Sequence, residues 1–352
     1  MSRTAEARPA RASAFFSLLA IAASFTFAGC PCISGPVNAS PELRWFLFSN
    51  FGASKVCPEI LKQGVPIRLE QRAPAMGRFF PQQCTYQVDD QRQTMTVNLS
   101  GTGYGYVLPA KRVGFSLTVS VEYRPDFQIA GDDVYVWARM NRIVQGPQFQ
   151  TGYVENPVVN VLSNIPPFGS LADFFGKQVV TAAMTQGFTV IHNDDGNDFA
   201  LGVLFPPAKP HHPFQVTSAE RYTFANETVD VHEGERDYLG PFEIAKKDQA
   251  LFLMLSLQGP PVDVMIVDKQ TGDAWREAYQ TGKPLGPPPG PVVAGAPLYA
   301  GPTDSRTYKL PPGQYYVVVD NTSAAGSVSP PASIVPFSDA LARLSYVAQL
   351  AD

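Results

Sequence analysis

Between Val113 and Tyr123 an apolar side chain falls on every second residue: Val113, Phe115, Leu117, Val119, Val121 and Tyr123. Successive side chains of an extended strand point to opposite faces, so this spacing places all six on one side of a β-strand. A second alternation, Val134, Val136, Ala138 and Met140, follows a connection over 125–133, and 94–99 reads as an earlier strand. Strands of this kind assemble into an antiparallel sheet with one apolar face, and that face must be covered.

The segment 170–186 supplies a predicted cover, because Leu171, Phe174, Phe175, Val179, Ala182 and Ala183 recur at helical spacing on one stripe. Ser170 with Asp173 forms a start resembling a capping box, and Gly187 supplies the left-handed residue that commonly ends a helix. Beyond it, 188–192 and 198–205 read as a hairpin across the turn 193–197. Asp194, Asp195, Asn197 and Asp198 offer hard oxygen ligands for calcium, but the order D-x-[DN]-x-[DN]-G is absent and the same residues suit a plain hairpin turn. A sheet under a helix either packs solidly or encloses an apolar ligand, and both use the same alternating side chains.

The chain of 352 residues exceeds what one hydrophobic core usually spans, which predicts two exported domains. Only 16% of the residues are charged, while 33 prolines and 28 glycines punctuate the chain, as expected of a mainly β protein. The proline-dense run 205–213 reads as a linker, and short extended segments follow at 218–224, 237–244, 250–257, 262–268, 305–310 and 314–320. The C-terminal 340–350 suits either a helix or a last strand, and the strand is favoured because a sandwich needs its sheet completed. The expected architecture is an N-terminal α+β domain over 42–208, an antiparallel sheet with one covering helix, followed by a β-sandwich over 214–350. The stretch YKLPPGQYYVVVDN from Tyr308 to Asn321 resembles the final strands of the bacterial pre-peptidase C-terminal type of β-sandwich. That resemblance implies an accessory module used in secretion or binding rather than in chemistry, interrupted here by a proline-rich insertion over 281–302 with polyproline II conformation.

Residues 1–13 carry three arginines and one glutamate, and 14–27 form an apolar run without a charge, followed by small residues and a cysteine. This is the order of a signal peptide, and about 14 apolar residues are fewer than the roughly 20 that span a bilayer. Phe27-Ala28-Gly29-Cys30 resembles the lipobox of bacterial lipoproteins, with Phe27 where leucine is usual. The resemblance implies cleavage of the leader 1–29, diacylglyceryl lipid on Cys30, a tether over 30–41 and attachment to the cell envelope. Pro31 stands where an aspartate tends to retain such proteins at the inner membrane, so the outer membrane is expected. The net charge of −4 counts Arg3, Arg8, Arg11 and Glu6, and losing their net +2 leaves the mature chain at −6. Without a Lys/Arg cluster, this balance argues against a nucleic-acid partner.

In an exported chain disulfides persist, and Cys57 with Cys84 is the expected pair, although Cys32 with either partner stays open. No C-x-x-C pair exists, and His192, His211 and His212 lie far downstream, so neither a metal nor another cofactor is expected. His232-Glu233-Gly234-Glu235-Arg236 lacks the second histidine of a zinc protease helix, and the glycines of 101–105 have neither dinucleotide nor P-loop spacing. The sequence therefore predicts a non-catalytic, membrane-tethered envelope protein that binds a partner or organises the envelope. A carrier of lipid or another apolar ligand, and a hydrolase with a site built from unlinked residues, are the competing readings.

Overall fold

The computed structural model describes residues 31–68, 73–108, 110–156, 186–193, 196–216, 221–329 and 340–351. The leader, Cys30 and all but the last residue of the predicted covering helix 170–186 lie outside them. Within the described residues the protein is mainly β, built from one large antiparallel sheet and two further sheets.

The large sheet has seven strands in sequential order: β1 (Val65–Pro66), β2 (Gly77–Asp89), β3 (Thr94–Val107), β4 (Lys111–Ala130), β5 (Asp133–Val154), β6 (Phe188–Asn193) and β7 (Gly196–Leu201). The six alternating residues from Val113 to Tyr123 all lie in its buried core. The expected connection over 125–133 is instead strand. β4 runs on to Ala130 and turns through Gly131, at a φ of +64°, directly into β5, with Ala130 opposite Asp133. Pro125 is tolerated because β3 begins only at Thr94 and pairs no farther along β4 than Tyr123, so one side of β4 has no strand to bond there. Gly103 in β3 lies where an added Cβ would come within 2.5 Å of the Phe115 ring, so glycine is what lets that ring fill the core beneath the strand.

Helices from the N-terminus cover the apolar face: α1 (Pro31–Ala39), α2 (Pro41–Leu47), a π-helical turn (Phe48–Gly52) and α3 (Ala53–Leu61). Val37, Phe48, Ala53 and Val56 join the core of the sheet. The expected tether over 30–41 is therefore corrected, since α1 is packed structure. Ser34, Gly35 and Pro36 are poor helix formers, and tertiary contacts override them. Asn38 donates to the Ile129 carbonyl at 2.8 Å and accepts from the Ile129 N–H at 2.9 Å, so one amide closes the strand edge that β3 leaves open. Ser40 caps α2 by accepting from the Leu43 N–H at 3.2 Å, with Pro41 at the first helical position. The Cys57–Cys84 disulfide joins α3 to β2, with the two Cα atoms 5.4 Å apart.

The remaining strands form two facing four-stranded sheets. Sheet one has the order β13 (Asp304–Tyr308), β10 (Ala250–Gln258), β15 (Ala342–Ala351), β8 (Tyr222–Val231); sheet two has the order β12 (Val292–Leu298), β11 (Val262–Asp268), β14 (Gly313–Asn321), β9 (Glu235–Ile244). The last expected strand is present as β15, whereas the first, expected at 218–224, is β8 and starts later. The supposed insertion 281–302 contains β12, an edge strand paired with β11, so its polyproline reading does not hold over that stretch. Between β11 and β12 stands an unexpected helix, α4 (Lys269–Gln280), which Asp268 caps by accepting from the Thr271 N–H at 2.7 Å. It packs Trp275 and Tyr279 onto the outer face of sheet two, where they meet Tyr238, Tyr316 and Val318 as well as Phe80 and Tyr104 of the large sheet. β11 and β14 are buried on both faces, which is why DVMIVD and YYVVVDN are nearly continuous apolar runs.

Residues 64–68 and 73–78 border the open side of the sandwich, where β8 and β9 present their free edges. Ala75 accepts from the Asp230 N–H at 2.9 Å and donates to the Thr228 carbonyl at 2.8 Å, while the Gly64 N–H donates to Gly240 at 2.9 Å. Arg78, 1% exposed, donates from Nε to Asp237 at 3.0 and 3.2 Å. Its Nη2 donates to Glu227 at 3.0 Å and to Tyr346 at 3.3 Å. Although burial opposes ionisation of Glu227, Arg78 and Arg68 hold its carboxyl below the usual range.

Two stability outcomes follow. Cys57→Ser should lower the unfolding free energy of the oxidised protein by about 3.6 kcal/mol, the chain-entropy value for a loop of about 28 residues, and an unchanged denaturant midpoint would refute it. Arg78→Met should cost about 3–5 kcal/mol, because it strands Asp237 and Glu227 in a buried site. Calorimetry should show the large sheet and the sandwich losing stability together.

Candidate functional site

Beyond the start of β3, the β4–β5 hairpin continues with β6 paired to β5 and no strand on the other side of β4, where α2 lies beside it. An open groove of about 320 Å³ forms between them, lined by Arg44, Trp45, Arg124, Trp137, Arg139 and Phe205. Arg124, Asp126, Trp137 and Arg139 share one face, because Arg124 is the register partner of Arg139 and Asp126 that of Trp137. Phe205, from the chain following β7, lies 5.2 Å from the Trp137 ring between centroids, and the Arg139 guanidinium sits over it at 4.9 Å. Trp45 is held by donating from its indole to Asp90 at 3.0 Å.

Most charges around this arm are matched. Arg44 donates to Asp126 at 2.7 and 3.3 Å and also bonds the Asn38 carbonyl. Arg142 pairs with Glu122 at 3.0 and 3.1 Å, which holds the Glu122 carboxyl below its usual range, and Lys209 pairs with Asp133 at 2.9 Å. Arg124 and Arg139 are the exceptions. Both are exposed, they stand directly opposite each other, and neither has a carboxylate partner among the described residues. Like charges at facing positions of two strands repel, so this pair works against the fold.

A second polar cluster lies where the large sheet meets the sandwich. Tyr279 donates to the buried Glu235, the Arg236 N–H donates to the Tyr279 hydroxyl at 3.2 Å, and Arg112 lies 4.4 Å over the Tyr279 ring and 3.6 Å from Glu155. Burial pushes the Glu235 carboxyl well above its usual range against the pull of Arg112, and the neighbouring Glu155 pushes it further. The sequence left a carboxylate pair in space open, and Glu235 with Glu155 is one. Its surroundings are packed: on the adjoining strand a Cβ at Gly114 would come within 1.8 Å of the Gln280 carbonyl. The pair thus lies in a packed joint between the two parts of the molecule, with Arg112 beside it.

Of the residues singled out in the sequence, Cys57 and Cys84 are joined, and Cys32 lies in α1. Asp194 and Asp195 lie outside the described residues. Asn197 is engaged with His192 at 2.8 Å and with Glu59 at 3.0 Å, and Asp198 with His212 at 3.0 Å. His192 and His212 therefore have separate partners, and among the described residues no three His, Cys, Asp or Glu side chains gather as a metal site would need. The glycines of 101–105 lie on β3, where Tyr104 donates to Asp237 at 2.5 Å across the junction.

A carboxyl held above its unfolded pKa stabilises the fold while protonated, so its contribution is lost as pH rises from the unfolded value through the raised native one. Glu235→Gln keeps a neutral side chain at every pH. The melting temperature of the variant relative to the native protein should rise between pH 5 and pH 8, and a difference independent of pH would contradict this account. The chain matches no family model, and no curated protein matches it.

Proposed function

We propose that this is a lipoprotein of the bacterial cell envelope, anchored through lipid on Cys30 and serving as a non-catalytic binding module. The observation that carries this reading is the directness of the connection between the lipidation sequence and the folded body. Cys30 is followed at once by α1, whose Val37 is buried in the core and whose Asn38 bonds β4. Lipid on that cysteine would hold the body close to the bilayer instead of letting it range on a flexible tether. Two or more acyl chains give stable attachment, each buried methylene contributing about 0.8 kcal/mol.

The binding role is supported by the arginine and aromatic groove, which is open to solvent beside α2, the second helix after the anchor. The carrier reading draws less support, because the apolar face of the large sheet is filled by side chains from α1, the π-helical turn and α3. The stretch that resembles an accessory module of the pre-peptidase C-terminal type lies on β14, Gly313–Asn321, inside the sandwich. Pro31 favours the outer membrane as the site of attachment.

Cells fed a clickable palmitate analogue should yield a labelled mature chain that floats with the outer membrane on a sucrose gradient. Cys30→Ser should abolish the label and release the chain from that fraction. A wild-type chain that stays unlabelled would refute the anchor.

A further inference from the structure

We infer that the groove between α2 and the β4–β5 arm holds the phosphate of a lipid headgroup in the bilayer to which the protein is anchored. This rests on the anchored reading above. Arg124 and Arg139 place two exposed guanidiniums opposite each other with no carboxylate to neutralise them among the described residues, while the neighbouring Arg44, Arg142 and Lys209 are all paired. A guanidinium presents a planar fork of N–H donors that fits phosphate oxygens two at a time, and two forks from facing strand positions that line one groove suit one phosphate group. Trp45, Trp137 and Phe205 supply apolar walls beside the charges, as a headgroup joined to glycerol and acyl chains requires.

The location selects a lipid over a soluble phosphate. Cys30 is bonded to the first residue of α1, which rises only about 13 Å at 1.5 Å per residue before the chain enters α2. α2 and the turn after it expose Leu43 (37%), Phe46 (43%) and Phe51 (52%). Apolar side chains left in water beside a lipid anchor are suited to the interfacial region of a bilayer. The groove and these side chains both draw on α2 and the turn after it, one short helix along the chain from the anchor, which brings the groove within reach of lipid phosphates.

The test uses residues 30–352 with Cys30→Ser, which contain every described contact and remove the covalent lipid as a cause of binding. Vesicles of phosphatidylethanolamine with phosphatidylglycerol should carry this protein on flotation. Arg124→Gln/Arg139→Gln in the same background should weaken flotation at least tenfold without lowering the melting temperature, because the substitutions relieve a repulsion. Arg124→Glu serves as a second variant, since it creates an opposite-charge pair with Arg139 that favours the fold; it should also lose flotation. Three outcomes would each overturn the inference: no flotation of the parent, equal flotation of the arginine variants, or saturable quenching of tryptophan fluorescence by soluble glycerol 1-phosphate together with absence of vesicle binding. The last would assign the groove to a soluble phosphate ester. Because lipidation is tested on the wild-type cysteine and this binding on its serine variant, the two readings fail separately.

Discussion

Arg78 carries a full positive charge into the junction between the large sheet and the sandwich, where burial strips its hydration. A buried ion is tolerable only when its partners are held in place, and here Asp237 comes from β9, Glu227 from β8 and Tyr346 from β15, while Arg78 itself belongs to β2. The charge therefore has its partners only when both parts of the molecule are folded and docked. Tyr104 strengthens the dependence by donating to the same Asp237 and accepting from the Tyr238 N–H at 2.8 Å. What the chain length suggests as two domains is energetically one assembly at this point.

The same junction solves the problem of exposed strand edges. A sandwich of two four-stranded sheets has open sides, and β8 and β9 would offer unpaired backbone groups to any passing strand. Gly64 and Ala75 take up some of those groups, and Ala75 is buried among the residues of the sandwich core. On the opposite side Arg306 donates to the carbonyls of Ala296 and Pro297 at 3.3 and 2.9 Å, linking the edge strands β12 and β13. A second free edge arises where β4 outruns β3, and there Asn38 and Arg44 of the first helices do the bonding. The groove exists because β4 outruns β3, so that α2 and Phe205 border the arm on that side while β6 pairs β5 on the other.

Much of the strand framework was legible because period-two alternation is a local property. The stripe from Val113 to Tyr123, the hairpin beginning at Phe188, the runs at 250–257 and 262–268 and the final strand were all readable in this way. The disulfide was legible as the expected pair Cys57–Cys84, although the sequence left Cys32 open to either partner. α1 was not, since its residues favour turns and it exists through Val37 and Asn38. α4 left a signal that passed unused: Asp268 as a cap, with Trp275 and Tyr279 four residues apart on one face. Pro125 read as a breaker because nothing local reveals that β3 begins too late to need its missing N–H.

By itself the sequence determined that the protein is mainly β, which faces of its strands are apolar, and that a charge-free apolar run over 14–27 stands just before a cysteine. These follow from side-chain order along one strand and need no partner. Only the tertiary structure decided that Arg124 faces Arg139, that Glu235 meets Glu155, and that Arg78 is shared between sheets. Each of those pairings joins residues from different elements, and strand register and docking are set by the whole folded chain.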